Sequence, residues 1–489
     1  MNMRRAKIVC TIGPASNSPE VLDRLIECGM DAARLNFSHG SHESHGRSIK
    51  AIREAAGRRR AAVAIIQDLQ GPRIRVGDLP DEGLEVATGQ HVRLVTTRWR
   101  SGAQIAAQSL AQSDLAEIPV TYPNLVQDVR SGARILIDDG NIELLVSWVS
   151  GGAVECKVAA GGRILSHKGI NLPGTQVTTP TITDKDRDDL RFGVAQGVDY
   201  LAFSFVRGPE DVRAAKKLIA ECGGDLPVIA KIERAEAVEA LDSILEQSDG
   251  VMIARGDLGV ELGPEAIPIL QKRIIAQANR RRRLVITATQ MLDSMTHRPR
   301  PTRAEATDVA NAVFDGTDAL MLSGETAVGA HPLEAVRVMD RIVRAAEEET
   351  ERNAQSQVAH PIEAAADQRS FPEAICEAAA AASAVTSADA IVAFSEGGPT
   401  ALLMSKQRPF APILALTPFE PVRRRMALYW GTVPHTMPQI DGTDERVREA
   451  ERRLKEEKLL MTGQRIVILS GTVIGRPGGT NLMKLHQVE

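Results

Sequence analysis

The chain has 489 residues, 43% of them hydrophobic and 25% charged, with a formal net charge of −4. That is an ordinary globular composition, with chain enough for about two to four domains. A small negative charge gives no field for nucleic acid, and no apolar run approaches a membrane span. Cysteines 10, 28, 156, 222 and 376 are scattered without a C-x-x-C pair, which reads as reduced thiols in a cytoplasmic protein. The arginine runs 58–60 and 280–283 each follow a helical pattern, where cations suit a helix C-terminus.

From the N-terminus, short β-rich runs bounded by Gly, Pro or Asp recur. They are KIVCTIG (7–13), AARLNFS (32–38), AVAIIQDL (62–69) and, after a gap, YLAFSFV (200–206), PVIAKIE (227–233), GVMIARGD (250–257), LVITATQ (284–290) and ALMLSGE (319–325). Amphipathic helices lie between most of them. One runs from Ser18-Pro19-Glu20 to Gly29, and others open at Thr183 and at Gly208-Pro209-Glu210. Strand and helix alternating eight times predicts a (β/α)8 TIM barrel, here residues 1–73 and 174–345. The gap, 74–173, holds strand-like pieces (HVRLV, RILID, IELLVSWV, AVECKVA) and reads as an inserted small β-barrel at the C-terminal mouth, placed to act as a lid. From about 346 a polar connector, QSQVAHPIEAAADQRS, leads to AICEAAAAASAV, IVAFS, PILALT and RIVILSG, an α/β domain over 346–489.

In such a barrel the C-terminal ends of the strands carry the active site. Here those ends are polar almost without exception. The second strand offers Arg34, Asn36 and Ser38 on one face, the third Asp68, the fourth Ser204, and the fifth Lys231 and Glu233. The sixth offers Arg255-Gly256-Asp257, the seventh Thr289 and the eighth Ser323-Gly324-Glu325. Glu233 and Asp257 are hard oxygen donors of the kind that hold Mg²⁺ (or Mn²⁺). Arg34 and Lys231 supply positive charge for a phosphoryl group, and Gly256 admits main-chain N–H groups to an anion. The combination argues phosphoryl transfer. His39, His42 and His45 lie in a loop entering a helix and are not read as a metal site.

The stretches AKIVCTIGPAS, MDAARLNFSHG, VIAKIE, VMIARGDLGVEL, ATQMLDSM, HKGINLPG and RPRPTRAEATDVANAVFDGTDALMLSGETA resemble the pyruvate kinase family nearly end to end. The resemblance implies transfer of the phosphoryl group of phosphoenolpyruvate to ADP, giving pyruvate and ATP at the end of glycolysis. It implies that Arg34 binds the phosphoryl group, that Lys231 stabilises its developing charge, and that Glu233 and Asp257 hold Mg²⁺. Main-chain donors over Ala254, Arg255, Gly256 and Asp257 would receive the substrate carboxylate beside Thr289, which also belongs to the relay that protonates the enolate. Asn36, His39, Arg75 and Lys168 match the nucleotide site, and Asn36, Ser38, Asp68 and the Leu69 carbonyl a potassium site. The family is usually a homotetramer under allosteric control. Two alternatives stay open on the residues alone: a non-catalytic effector sensor, and another barrel enzyme that acts on phosphoenolpyruvate or an enolate.

Two departures from the family pattern carry expectations. The stretch Asp68-Leu69-Gln70-Gly71-Pro72-Arg73-Ile74-Arg75 replaces a typical Asp-Thr-Lys-Gly-Pro-Glu-Ile-Arg. Arg73 in place of Glu is expected to supply the charge of K⁺ and remove the need for it. The loop FSEGGPTALL (394–403) retains Ser395 and Thr400 for a phosphorylated effector. Glu396 repels phosphate there and Pro399 lacks an N–H donor, so a monophosphate or nucleotide is expected rather than fructose 1,6-bisphosphate.

Overall fold

The computed structural model describes residues 3–96, 115–356, 370–471 and 479–489. The first three strands are β1 (Lys7–Thr11), β2 (Ala32–Asn36) and β3 (Ala64–Asp68). The insert contributes β4 (Leu84–Val86), β5 (His91–Thr96), β6 (Ala116–Val120), β7 (Arg134–Ile137), β8 (Ile142–Ser150), β9 (Ala153–Ala160), β10 (Gly162–Ile164) and β11 (Ile170–Asn171). The chain returns through β12 (Tyr200–Phe203), β13 (Val228–Ile232), β14 (Gly250–Ala254), β15 (Leu284–Ala288) and β16 (Ala319–Leu322). The C-terminal part adds β17 (Ala390–Phe394), β18 (Ile413–Thr417), β19 (Thr432–Thr436), β20 (Arg465–Gly471) and β21 (Thr480–Gln487).

β1–β3 and β12–β16 form a closed ring of eight in the order β1-β16-β15-β14-β13-β12-β3-β2, every described pairing parallel. Buried on both faces, these strands read as nearly continuous apolar runs. The helices around them start and stop where their sequences say. Ser18 caps Pro19–Cys28 and Gly29 closes it in the left-handed region, while Thr183 forms a capping box with Asp186.

In the insert a six-stranded sheet runs β11-β7-β8-β9-β5-β6, with β10 and β4 as a separate ribbon. Isolated bridges join Arg75 to Gly169, beside β11, and Val76 to Val120, in β6. The entering chain thus curls the sheet's two edges toward each other around its own core of Val92, Ile118, Ile135, Leu144 and Val154. The C-terminal sheet has the order β19-β18-β17-β20-β21, with only β21 antiparallel. One helix, Pro332–Ser356, runs without a break across 345/346, where the sequence suggests a division. The polar connector lies mostly outside the described residues.

The floor of the barrel repeats one device four times. Asp31, Asp199, Asp249 and Asp318 each immediately precede a strand, namely β2, β12, β14 and β16. Each main-chain N–H donates to a carbonyl on the preceding barrel strand, at Ile8, Ile65, Val228 and Val285. Each Oδ2 accepts the N–H of that same residue at 2.8 Å. A cation then sits on each carboxylate: Arg4, Arg53, Lys216 and Lys406. Asp199 also binds Arg424 and Asp318 also binds Arg408, so two opposite points of the ring take charges from the C-terminal domain.

Candidate active site

At the mouth, the ends of three strands, β2, β3 and β13, carry one continuous chain of alternating charge. Arg34 Nε lies 2.6 Å from Asp68 Oδ2, and Arg34 Nη1 donates to Thr11 Oγ1 at 3.1 Å. Lys231 Nζ is 3.2 Å from Asp68 Oδ1, 2.7 Å from Glu233 Oε1 and 2.8 Å from Ser204 Oγ. Burial alone would lower the pKa of Lys231, but Asp68 and Glu233 outweigh it and raise it, so the ammonium is held protonated. Asp68 answers in kind: burial works upward, and Arg34 with Lys231 brings its carboxyl below the ordinary value.

Glu233 Oε2 accepts the Phe205 N–H at 3.0 Å, in a turn where Phe205 adopts a φ of 56°. Beside it stands Asp257, whose carboxylate has no hydrogen-bond partner among the described residues. Burial and the neighbouring Glu233 charge push Asp257 up to about 6, while Lys231 and Arg73 pull the other way. Asp257 belongs to the helix Arg255–Leu262 that springs directly from β14, so its first turn faces the mouth.

Thr289 and Gln290, just past β15, both take left-handed backbone, with φ of 68° and 54°. For a β-branched residue that is strained, and the surroundings hold it there. Arg255 Nη2 donates to Thr289 O at 2.9 Å and pairs with Asp308 at 2.7 Å, so its side chain braces the turn rather than entering the mouth. The Gly256 N–H donates to Thr289 Oγ1 at 2.8 Å, and that hydroxyl donates to Ala288 O at 2.7 Å. Glu325 also turns away from the mouth. Its two oxygens accept the N–H groups of Leu292 and Ser323, which makes it a structural brace for the eighth strand's end.

Of the residues matched to potassium, Asn36 and Leu69 have their oxygens engaged within the protein. Asn36 stands level with Asp68 across β2 and β3, yet its Oδ1 accepts the Ser38 N–H at 3.1 Å. The Leu69 carbonyl accepts from Ser204 Oγ at 2.7 Å. Arg73 is exposed, and its guanidinium makes no ion pair among the described residues. Its charge reaches the mouth all the same. Besides pulling on Asp257, it adds, with Arg75 and Arg34, to the burial that lowers His39.

The nucleotide set is partly gathered. Arg75 Nη1 donates to His167 O at 2.7 Å, the Val76 N–H donates to Lys168 O, and Lys168 Nζ pairs with Asp138 at 2.7 Å. Arg75 and Lys168 therefore lie side by side where the insert meets the barrel. His42 and His45 serve packing. His42 stacks on Phe192 and pairs with Asp189, while His45 stacks on Phe37 with its Nε2 2.8 Å from His39 O.

In the C-terminal domain, Ser395, Glu396, Thr400, Arg446 and Thr480 line a cavity of about 90 Å³. Ser395 Oγ accepts the Ala401 N–H at 3.2 Å, and Thr400 Oγ1 pairs with Thr480 Oγ1 at 2.6 Å. Arg446 lies over the Phe394 ring, and its Nε and Nη2 have no hydrogen-bond partner among the described residues. Sequence reasoning missed it, because an arginine in a charged helix carries no signal until the loop folds against it.

Barrel, rim charges and carboxylate pair define a phosphotransferase of the barrel type. Residues 3–336 match the model of the pyruvate kinase barrel domain, and 373–486 that of the pyruvate kinase alpha/beta domain. The chain is 45% identical over 490 residues to pyruvate kinase 2 of Synechocystis sp., covering 99% of this chain and 80% of that one. It is 45% identical over 489 residues to the pyruvate kinase of Geobacillus stearothermophilus, again 99% and 80%. With the Clostridium perfringens enzyme it shares 40% over 491 residues, 99% of this chain and all of the other. A crystal structure of a pyruvate kinase from Cryptosporidium parvum superposes with a TM-score of 0.87 at 37% identity, covering 99% of this chain and 96% of that one. The chain belongs to the pyruvate kinase family and has that family's phosphotransferase function.

Proposed function

We propose that the barrel mouth binds phosphoenolpyruvate and passes its phosphoryl group to ADP, giving pyruvate and ATP as the last step of glycolysis. The observation that carries the reading is the chain Arg34–Asp68–Lys231–Glu233 beside Asp257. It sets two cations and two carboxylates at one rim. The bond from phosphorus to the enol oxygen breaks as one to an ADP oxygen forms, and the enolate left behind takes a proton at C3. Arg34 holds the phosphoryl oxygens. Lys231, protonated throughout the neutral range, acts on them as a fixed charge and not as a base. The main-chain donors over Ala254, Arg255, Gly256 and Asp257 receive the substrate carboxylate, the Gly256 N–H exchanging its bond to Thr289 Oγ1 for one to the substrate, and Thr289 stands in the protonation relay, through water.

Glu233 and Asp257 fit a divalent metal, Mg²⁺ or Mn²⁺. The fit rests on a half-buried carboxylate that no hydrogen bond satisfies among the described residues, next to a second anion that raises its pKa. When bound, such an ion supplies positive charge to the phosphoryl and enolate oxygens. Asn36, His39, Arg75 and Lys168 take ADP, with the insert as lid, and Arg73 stands in for K⁺. The C-terminal cavity takes a phosphorylated effector through Arg446, Ser395 and Thr400, in a cytoplasmic homotetramer. A coupled assay of ADP-dependent pyruvate formation tests the central reading. Binding without turnover would mark a sensor, and product without ADP would mark a different phosphoenolpyruvate enzyme.

A further inference from the structure

The chain leaves the barrel for the insert after β3 and comes back along residues 172–183. Two barrel arginines hold the returning segment by its main chain. Arg207 Nη1 donates to Val177 O at 2.7 Å, and Arg234 Nη2 donates to Thr175 O at 3.2 Å. Arg234 directly follows Glu233 and is only 8% exposed. Its Nε and Nη2 face Glu236 at 3.2 and 3.3 Å, and its Nη1 lies 3.9 Å from Glu261 Oε1. Glu261 sits one helical turn after Asp257 in Arg255–Leu262. Its side chain is 2% exposed, and its Oε2 has no hydrogen-bond partner among the described residues. Arg73, Val177, Phe205, Arg207, Arg234 and Asp257 wall a cavity of about 80 Å³ between the hinge and the rim.

The return hinge is therefore tied to both carboxylates at once, through the peptide to Glu233 and through the Glu261 helix to Asp257. A planar guanidinium suits the task because it meets several acceptors from one rigid fork. We propose that Arg234 is a positioning residue that couples the insert's return hinge to the Glu233–Asp257 pair. Its loss frees the hinge, and with it the nucleotide residues the insert carries, while Glu233 and Asp257 keep their own places, so the effect falls on phosphoryl transfer to the nucleotide and spares protonation of the enolate. The inference rests on the reading that the insert carries residues for ADP.

Arg234→Met alone would leave the buried Glu261 carboxyl without its cation, so that it takes up a proton and the change would mix lost charge with the lost tie. The informative protein is therefore full-length Arg234→Met with Glu261→Gln, alongside Arg234→Lys. Hydrogen exchange at residues 174–178 reads the tie. Proton exchange at C3 of pyruvate, with Mg²⁺ and without ADP, reads the enolate half-reaction. In the double variant the hinge amides should lose protection and proton exchange should stay near the wild-type rate. ATP formation should fall roughly 10- to 100-fold, the scale of a displacement of about 1 Å at a reacting centre. Arg234→Lys should lie between. Proton exchange falling in step with ATP formation would overturn the proposal, since Arg234 would then serve Glu233 alone. Unchanged hinge protection or unchanged ATP formation would overturn it too. A Lys168→Met protein with an unaltered KM for ADP would instead strike down the nucleotide reading, and the proposal with it.

Discussion

Lys231 touches two carboxylates and a hydroxyl within 3.2 Å, and such a group has one chemical use, as a charge. Lys231→Met should abolish ATP formation and leave proton exchange at C3 of pyruvate measurable; equal loss of both would refute that division. Burial and the Glu233 charge push Asp257 up to about 6, well above the ordinary carboxylate range. A carboxyl raised by folding favours the fold below its unfolded pKa, and that contribution is lost as pH climbs through about 6. Above that, the ionised group burdens the fold until a divalent ion relieves it. Titration with Mg²⁺ should then raise Tm more at about pH 7.5 than at about pH 5, and Asp257→Ala should show little gain at either. An equal rise at both pH values would remove Asp257 from the metal site. Arg73 makes the third case. Its charge reaches Asp257 and His39 at the mouth from an exposed position, and a permanently protonated guanidinium there supplies positive charge of the kind a weakly held K⁺ would bring. Rates in tetramethylammonium buffer should be the same with and without KCl, and Arg73→Glu should create a response. A many-fold rise in the wild type would overturn this.

At the scale of elements, the barrel was legible because all eight strands are short, apolar and punctuated, and their polar ends follow from that placement. What could not be read was how those ends are braced. Arg255 and Glu325 look like mouth residues in sequence, yet both point into backbone, because Thr289-Gln290 and Ser323 need partners that only tertiary contact brings near. The floor aspartates escaped notice for a different reason. Three of the four follow a Gly-x-Asp pattern, at 29–31, 197–199 and 316–318, but a residue just before a strand reads as a turn until its pairing is seen. The bracing is testable. Arg255→Met should release the left-handed turn at Thr289, raising KM for phosphoenolpyruvate by roughly 10-fold or more, since a buried donor to two carbonyls and a carboxylate is lost. Asp308→Asn should do the same more weakly. A normal KM in Arg255→Met would show that the turn stands without it.

Over the whole molecule, the same floor aspartates decide how the C-terminal domain is mounted. Asp318 already holds β15 through the Val285 N–H, and the mount adds Lys406 at 2.5 Å and Arg408 at 2.9 Å. Lys406 is completely buried, and burial draws its pKa down to about 8 against the pull of Asp318. It ends the helix Pro399–Lys406, whose first turn lines the C-terminal cavity, so one short rigid element joins that cavity to the start of β16. Trp430 lies at the same joint, its ring 4.8 Å from the Arg408 guanidinium carbon. Removing one partner of a buried ion pair typically costs about 3–5 kcal/mol, because the other is left unpaired; here Arg408 still covers part of Asp318, so the lower end applies. Lys406→Met should therefore lose about 3 kcal/mol in denaturant unfolding followed by tryptophan fluorescence, whereas Lys406→Met with Asp318→Asn should lose less than the single change. If the double variant is instead the weaker protein, the Asp318 contact to Val285 outweighs the ion pair. The mount would then belong to the barrel's own stability and not to the attachment of the C-terminal domain.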